Sequence, residues 1–447
     1  MGFFIDFFWS IQENPFFAVR EMFHLLYLNE RELVKLRLVR LMSIWKRNQS
    51  QLDQSAWLLL VVSGLYAIST SLSNMFVHVY LWKLKKDFVM IGWFNFAQYF
   101  AMAITFVFAG WLVKRVDRVI SVRLGVGIQA IFYLTVLMLG THSSEYATWL
   151  GIFLGVGTGF FWLGYNVIYF EITERDNRDI YNGMNGLFSS LAGMIAPFIS
   201  GLIITRIDQL LGYRIIFAIS LGIFVAAVIV SFFLDKRAAK GAFRLSLILE
   251  QARHRDHSWF WVNCAMIAHG LREGVFVFLI GLLVYITTKN ELILGTYFTV
   301  SYLVSLLSFY VVGKWLPTHA RNHAILIGAV MMGVVLIPFI WKGESWTMFV
   351  YGIGAALFYP LYYTPLTSMV FDLIGKDKEA VSLRVEYVVM RELALNIGRL
   401  VGLITFIIWV GISSDLNDMR WFILILGFSQ VLTWLSIRRV PSVRISK

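Results

Sequence analysis

Long apolar stretches alternate with short polar ones over almost the whole chain. A helix needs roughly 20 mostly apolar residues to cross the hydrocarbon core of a bilayer. Twelve stretches approach or exceed this length: 56–82, 88–112, 119–140, 147–170, 182–205, 214–234, 258–287, 292–316, 324–341, 346–371, 386–411 and 420–436. Strands of a membrane barrel would alternate apolar and polar residues at every second position, and these stretches do not. The pattern therefore predicts twelve membrane-spanning helices.

Composition supports a membrane protein. Of the 447 residues, 58% are hydrophobic and 15% are charged, and the mean hydropathy is +0.70. A soluble domain is about half apolar and a quarter charged, so this chain has too little charge to cover a soluble surface. Its single cysteine, Cys264, has no second cysteine for an intrachain disulfide. We therefore predict an all-α membrane protein that lies in a lipid bilayer. We also expect the chain to be monomeric.

The distribution of Lys and Arg predicts the orientation. With an even number of spans both termini lie on one side, and 28 of the 39 basic residues fall in or beside the segments of that side, against 8 on the other. Basic residues concentrate in cytoplasmic loops, which predicts cytoplasmic termini in a plasma membrane, here the bacterial cytoplasmic membrane. Lys83, Lys85 and Lys86 run against this rule. The net charge of +12 is then explained by this orientation and by basic cytoplasmic segments that can bind anionic lipid. We therefore expect no nucleic-acid partner.

The segments outside the spans divide the chain. Residues 1–55 form an N-terminal segment in which 31–47 mixes leucines with lysines and arginines, as in an amphipathic helix that lies on the membrane surface. A solvated linker is the alternative. The longest loop, 235–257, separates a six-helix bundle over 56–234 from another over 258–436, and 437–447 forms a basic cytoplasmic tail.

The two bundles carry a weak internal repeat. Matching pairs are Gly155-Val-Gly157 with Gly352-Ile-Gly354, Phe170-Glu171 with Phe371-Asp372, and Gly110 and Arg118 with Gly313 and Arg321. All of these pairs are separated by about 200 residues. Tandem repeats with a substrate site at their interface are a transporter architecture.

With this layout the sequence resembles the major facilitator superfamily of secondary transporters over about 55–440. The loop after the second span of that family reads Gly-x-x-x-Asp-Arg/Lys-x-Gly-Arg-Arg/Lys. Here Gly110, Arg115 and Arg118 match the motif. Lys114 occupies the position of the motif's Asp, and Asp117 occupies the position of its second Gly. In the family the acid helps to latch the cytoplasmic gate, so the resemblance implies a gate here whose acid is missing unless Asp117 replaces it.

A second resemblance lies on 182–205, where exporters of the superfamily carry a motif of small residues and proline. Its positions are occupied here by Gly183, Ala192, Ala196, Pro197, Ser200 and Gly201. Small residues allow helices to approach closely. The resemblance favours export and implies gating roles for Gly183, Pro197 and Gly201, although any close helix crossing also selects small residues.

Charged residues inside the spans are candidates for binding and coupling, because a charge at the bilayer centre costs about 2.5–3.5 kcal/mol on insertion scales. His269, Arg272 and Glu273 lie at the centre of 258–287. His269 and Glu273 are four residues apart and share a helical face. Adjacent residues point about 100° apart, so Arg272 and Glu273 are predicted to face different targets. The alternative is an ion pair that fastens this helix to a neighbour.

A second charged group lies on 386–411. Glu392, Asn396 and Arg399 follow i, i+4, i+7 spacing and form one polar stripe. Together with Arg391, the two arginines exceed what one acid neutralises, which predicts an anionic substrate group or carboxylates on neighbouring helices. Glu386 and Arg391, nearer the cytoplasmic end, are predicted gate contacts.

Milder polar residues complete the candidate site. Asn74, Asn166 and Asn263 fall on helices that line the central cavity in the superfamily, and helix–helix hydrogen bonds are the alternative role for each. Tyr359, Tyr362 and Tyr363 flank Pro360 and Pro365 and are also expected to line a cavity.

The sequence contains no phosphate-binding loop, nucleophile elbow or cluster with metal-ligand spacing. We therefore predict neither an enzyme nor a cofactor nor a metal site. The expected function is a secondary transporter that works by alternating access, is coupled to protons through Glu273 or Glu392, and exports an amphipathic, partly anionic small molecule or a lipid-like substrate. A lipid flippase and a non-transporting scaffold or sensor on the same fold are the alternatives.

Overall fold

The computed structural model describes residues 52–173, 177–207, 209–236, 242–255, 257–341, 344–374, 383–413 and 415–440. The predicted surface helix at 31–47 and residues 441–447 of the predicted tail lie outside these ranges. Residues from Ser55 onward form one compact unit. The bundle boundaries stay predictions, and we use the names N half for 56–234 and C half for 258–436.

The described residues form fifteen α-helices joined by short connections. They are α1 (Gln54–Lys85), α2 (Phe88–Arg115), α3 (Arg118–Leu139), α4 (Ala147–Ile172), α5 (Arg178–Arg206), α6 (Gln209–Ser231), α7 (Leu245–Gln251), α8 (Ser258–Thr288), α9 (Glu291–Trp315), α10 (Arg321–Val334), α11 (Ile337–Trp341), α12 (Ser345–Ile374), α13 (Arg384–Ile412), α14 (Leu416–Phe428) and α15 (Gln430–Ile437). We call the end of the bundle where α2 ends and α3 begins the motif end.

Side-chain caps start two of the long helices within one residue of their predicted positions. Asp87 Oδ1 accepts a hydrogen bond from the backbone N–H of Val89 at 2.8 Å and begins α2. Asn290 Oδ1 accepts from the backbone N–H of Leu292 at 2.9 Å and begins α9. Such caps satisfy amides that have no partner within the helix.

Eleven helical segments of the described part are long and apolar enough to cross a membrane, which confirms an all-α membrane fold. The 30-residue α12 is not among them. Its tyrosines, prolines and hydroxyl side chains make it less apolar than its length suggests. The count of twelve spans and the cytoplasmic position of the termini stay predictions.

Two stretches predicted as continuous spans are interrupted helices. The stretch 324–341 falls into α10 and α11, because Pro338 has no N–H for the helical ladder and its ring crowds the preceding turn. The stretch 420–436 breaks at Ser429, whose Oγ donates to the carbonyl of Leu426 at 2.7 Å. Such back-bonding bends helices.

Glycines bring α8 and α13 into a close crossing. A Cβ added to Gly270 would collide with the carbonyl oxygen of Leu395, and one added to Gly398 would collide with that of Ile267. Only glycine allows this backbone approach. The crossing places the charged residues of α8 beside those of α13.

Candidate functional site

A cavity of about 390 Å³ lies between helices of both halves. The N half contributes Met102 from α2 with Trp162 and Asn166 from α4. The C half contributes Met266, His269, Glu273, Tyr363, Leu366, Thr367, Val370, Phe371, Arg391, Glu392, Leu395 and Arg399. Apolar walls with a few convergent polar groups are the usual form of a small-molecule site. This cavity is therefore the candidate site.

One ion pair in the cavity wall joins α8 to α13. Arg399 Nη2 donates to Glu273 Oε1 at 3.0 Å, and the two side chains are 9% and 32% exposed. Nε2 of His269 lies 3.6 Å from Glu273 Oε2. The Arg399 guanidinium also lies 4.8 Å from the centre of the Tyr99 ring on α2, a cation–π contact with the N half. The interhelical ion pair and the cavity-lining carboxylate, which the sequence left as alternatives, are thus the same group.

A second ion pair lies within α13. Arg391 Nη2 donates to Glu392 Oε1, and both residues line the cavity. Asn396 instead bonds within its own helix, donating to the backbone carbonyl of Glu392 at 2.9 Å and accepting from Arg399 Nη1 at 3.1 Å. The arginine in excess on this helix is therefore matched by Glu273 of the neighbouring helix.

Arg272 does not line this cavity. Its Nη2 donates to the Tyr351 hydroxyl at 2.8 Å, and its guanidinium lies 4.3 Å from the centre of the Phe276 ring. Arg272 and Glu273 therefore serve different partners. The contact with Tyr351 ties α8 to α12.

His269 has two partners that the sequence pattern does not signal. Its Nδ1 lies 3.0 Å from the Tyr362 hydroxyl and 3.3 Å from Gln430 Oε1, and Gln430 Nε2 donates to the His269 carbonyl at 3.3 Å. Gln430 is fully buried and lies on α15. Gln430 is a single neutral residue far from His269 in the sequence, so no sequence spacing relates the two.

Of the three predicted asparagines, Asn166 lines the cavity and the other two do not. The backbone carbonyl of Asn74 lies 3.0 Å from His78 Nδ1. Asn263 Oδ1 is buried and has no hydrogen-bond partner among the described residues. Of the three predicted tyrosines, Tyr363 lines the cavity.

An ion pair joins the two halves at the motif end. Lys114 Nζ of α2 lies 2.8 Å from Glu386 Oε1 of α13, with side chains 12% and 0% exposed. The same oxygen accepts from the backbone N–H of Arg244 at 3.0 Å. A Cβ on Gly110 would come within 2.9 Å of Val389, so this glycine allows α2 to approach α13. The basic residue that departs from the family motif thus has an acidic partner on the opposite half.

Asp117 lies between α2 and α3, three residues after Lys114. Its Oδ1 accepts from the backbone N–H of Val119 at 2.9 Å and caps α3. Arg115 lies over the ring of Trp111, 5.0 Å from its centre. The Asp117 cap lies at the start of α3, and the Arg115 contact lies at the end of α2.

The internal repeat appears as equivalent ion pairs in the two halves. Arg118 Nε lies 2.7 Å from Glu171 Oε1, joining the start of α3 to the end of α4. Arg321 Nη1 lies 2.9 Å from Asp372 Oδ2, joining the start of α10 to the end of α12. Gly313, by contrast, has open space where a Cβ would stand, so no close approach depends on it.

Aromatic rings bound the cavity toward the motif end. Phe170 of the N half and Phe371 of the C half have ring centres 6.0 Å apart. Arg384 lies 4.7 Å from the Phe170 ring centre, and Arg391 lies 5.5 Å from that of Phe371. Arg391 therefore lines the cavity and also contacts one of the two rings that meet between the halves.

A further ion pair joins the halves at the opposite end. Lys83 Nζ of α1 lies 2.6 Å from Glu291 Oε1 of α9, and the Tyr213 hydroxyl donates to the same oxygen at 2.8 Å. The sequence does not signal this pair, because both charges lie at helix ends, where ordinary loop charges also occur. It gives Lys83, one of the lysines that oppose the orientation rule, a structural role.

The small-residue motif of α5 forms a crossing with α9. A Cβ on Gly201 would collide with the carbonyl oxygen of Glu291, and one on Gly295 would collide with that of Pro197. An added Cβ on Gly183 would meet nothing within 4 Å. The second part of the motif is therefore a close contact between halves, and Gly183 takes no part in it.

No group of three or more His, Cys, Asp or Glu side chains in the described part is arranged to hold a metal ion.

The comparisons with known proteins agree with this architecture. The family model described as Major Facilitator Superfamily matches residues 59–385. The chain belongs to the Major Facilitator Superfamily. The resemblance identified from the layout and loop motifs is thereby confirmed, and the chain is a multi-pass membrane protein.

Two relatives share substantial sequence with this member of the superfamily. The uncharacterized protein YqgE of Bacillus subtilis (strain 168) is 39% identical over 382 residues, which cover 86% of this chain and 89% of the relative. A protein of Geobacillus stearothermophilus, described as an uncharacterized protein in the sodM 3' region, is 44% identical over 169 residues, 38% of this chain and 79% of that protein.

Solved transporter structures share the fold. The nucleoside transporter NupG has a TM-score of 0.66 at 12% identity, with 86% of this chain and 100% of that chain covered. A POT family transporter in complex with 5-aminolevulinic acid has a TM-score of 0.68 at 11% identity, covering 88% and 97%. The fucose:proton symporter FucP of E. coli has a TM-score of 0.61 at 15% identity, covering 88% and 98%. At these identities the likeness concerns the fold alone.

Proposed function

We propose that this superfamily member is a monomeric secondary active transporter of the bacterial cytoplasmic membrane, with twelve spans and cytoplasmic termini. It works by alternating access, in which the two halves rock about a central site. The observation that carries the proposal is the cavity between the halves, whose wall holds the Glu273–Arg399 and Arg391–Glu392 pairs. Ion pairs at both ends of the bundle, Lys114–Glu386 and Lys83–Glu291, are contacts that such a motion breaks and forms in turn.

Protons are the proposed coupling ion, with Glu273 as first carrier and Glu392 as second. Both residues of the Glu273–Arg399 pair belong to the C half, so rocking does not pull them apart. It does move Tyr99 and Met102 of α2, which contact Arg399 from the N half. Withdrawal of these residues changes the water and the dielectric around the pair, which is how a buried carboxylate exchanges a proton between states.

Export of an amphipathic, partly anionic small molecule is the proposed direction and cargo. The close α5–α9 crossing at Gly201 and Pro197 supports export through its likeness to the exporter motif. Arginine binds carboxylate and phosphate groups through its planar fork, while the methionine, leucine and aromatic walls suit an apolar body.

A lipid-like cargo is the second candidate, supported by a separate apolar groove. This groove of about 600 Å³ lies along α1, α5 and α6, and its lining is almost wholly aliphatic or aromatic. Leu65, Ile68 and Phe188 are among its walls. An acyl chain fits such a surface, and its headgroup would then need a polar site elsewhere.

A ligand screen followed by flux measurement tests the proposal. Purified protein is screened by thermal shift against medium-chain fatty acids, aromatic carboxylates and lysophospholipids, in parallel with Arg399→Gln and with Arg253→Gln, which alters an exposed arginine. We expect stabilisation that Arg399→Gln abolishes and Arg253→Gln retains, and flux of the same compound in proteoliposomes. Partner binding to residues 1–55 without flux of any bound compound would instead favour the scaffold.

A further inference from the structure

The charges that line the cavity balance within the described residues. Arg391 and Arg399 provide two positive charges, and Glu273 and Glu392 provide two negative ones. Each arginine is engaged with one of these carboxylates. A ligand with a single anionic group would take an arginine and leave a carboxylate without its partner, and a single cation would do the reverse. A buried charge without a partner is costly.

The same residues have both donor and acceptor atoms that lack a hydrogen-bond partner. Nε of Arg391 and Nε of Arg399 are buried donors without a hydrogen-bond partner among the described residues. Oε2 of Glu273 is a buried acceptor that also has no hydrogen-bond partner among the described residues, and His269 Nε2 lies 3.6 Å away. These residues line the cavity, and their unpaired atoms are two donors, which match an anionic group, and one acceptor, which matches a cationic group. Native structures leave few buried polar groups unpaired, so these atoms point to a ligand.

The other residues that line the cavity indicate the apolar character and the size of the ligand. Trp162 and Tyr363 line the cavity, and aromatic rings attract ammonium groups as well as apolar bodies. Met102, Met266 and Leu366 are apolar. A volume of about 390 Å³ lies within the range of small-molecule sites.

We infer that the substrate is an amphipathic zwitterion that carries one carboxylate or phosphate and one ammonium group. Its anionic group binds the guanidinium of Arg399 and the unpaired Nε of Arg391, its ammonium binds Glu273, and Glu392 keeps its contact with Nη2 of Arg391. This exchange of partners leaves no buried charge alone. The inference rests on the proposed transport function and narrows its partly anionic substrate to one that is also partly cationic.

The test compares forms of one scaffold that differ in which charged groups they carry. Binding to the purified full chain is measured by calorimetry with diphenylalanine, which is a zwitterion, with its N-acetyl form, an anion, and with its amide, a cation. A second arm uses twelve-carbon lysophosphatidylethanolamine against lysophosphatidylglycerol. The two arms distinguish a small solute from a lipid headgroup as the source of the zwitterion.

We expect the zwitterion of at least one scaffold to bind at least about tenfold more tightly than its singly charged forms, because each lost charge-assisted hydrogen bond has this order of effect. Glu273→Gln is expected to remove the preference over the anion, Arg391→Gln the preference over the cation, and Arg253→Gln neither. The comparison on the unaltered chain needs no variant to fold.

An anion that binds as tightly as its zwitterion in both scaffolds overturns the inference and leaves the transporter proposal intact. Absence of binding by every form overturns it as well. Zwitterion binding without flux in proteoliposomes supports the inference on the ligand and contradicts the proposed transport function alone.

Discussion

At the residue scale, Glu273 and Arg399 form an ion pair in the cavity wall. The Arg399 side chain is 9% exposed and its nearest carboxylate is Glu273, 3.0 Å away. Removal of one member of a buried pair leaves the other charge without compensation, which typically costs about 3–5 kcal/mol when both are fully buried. Glu273 is about a third exposed, so its removal costs less.

We predict that Glu273→Gln lowers the free energy of unfolding by about 2 kcal/mol, because Arg399 keeps a buried charge without its partner. The double variant Glu273→Gln/Arg399→Gln regains part of this loss, with a coupling of about 1 kcal/mol or more between the two sites. Thermal unfolding of the four proteins in detergent measures the cycle. Additive effects would show that the pair makes no energetic contact.

The Lys114–Glu386 pair provides a second residue-scale test. We predict that Lys114→Glu destabilises the chain by about 3 kcal/mol or more, because it places two acids together where Glu386 is fully buried. The exchanged variant Lys114→Glu/Glu386→Lys restores much of the loss. Thermal unfolding measures both, and an exchanged variant no better than the single one would mean that the contact depends on more than opposite charge.

Intramembrane charge and helical spacing singled out Glu273, His269 and Arg399, and all three line the candidate cavity. These residues could be predicted because a charge in an apolar stretch is rare. Gln430 and the Lys83–Glu291 pair could not, since neutral amides and charges at helix ends are common. Arg272, which the sequence also predicts for the site, does not line this cavity and donates to Tyr351.

At the scale of elements, the crossings of α5 with α9 and of α8 with α13 set how closely helices approach. Both depend on glycines that face a backbone carbonyl of the partner helix. Small residues in sequence indicate such a crossing but not which glycine makes it. Gly183 and Gly201 belong to one motif, yet only the second of these two touches α9.

This difference gives a matched pair of variants. We predict that Gly201→Ala destabilises by about 1–3 kcal/mol, because the new Cβ meets the backbone of Glu291 and forces α5 and α9 apart. Gly183→Ala has open space and is expected to be neutral or to stabilise by about 0.5–1 kcal/mol, since alanine favours helix. Thermal unfolding distinguishes them, and equal effects would contradict a close crossing at Gly201.

Ten of the twelve stretches predicted from hydropathy are single helices in the described part, and the other two are interrupted. Pro338 and Ser429 divide stretches that apolar content alone joins. In α12 the tyrosines and prolines lower the apolar content of a 30-residue helix that packs against the cavity. Helix length depends on backbone hydrogen bonding as well as hydropathy, so the sequence signals the break at Pro338, which has no N–H, but not the one at Ser429.

For the whole molecule, the charge bias predicts cytoplasmic termini and a cytoplasmic 235–257 loop. Single cysteines at two exposed positions, Glu145→Cys and Glu250→Cys, test this in a Cys264→Ser background. A membrane-impermeant maleimide is expected to label position 145 in intact bacterial cells and position 250 only after permeabilisation. The opposite labelling would reverse the orientation.

Proton-driven flux through Glu273 tests the central claim most directly. Proteoliposomes with an acidic lumen are given the tightest-binding compound of the ligand screen, and its uptake is compared for the unaltered chain, Glu273→Gln, Glu392→Gln and the exposed control Glu250→Gln. Export in exchange for protons predicts gradient-driven accumulation by the unaltered chain and by Glu250→Gln, and a loss of about tenfold or more in Glu273→Gln. Accumulation that persists in both Glu273→Gln and Glu392→Gln would contradict the claim.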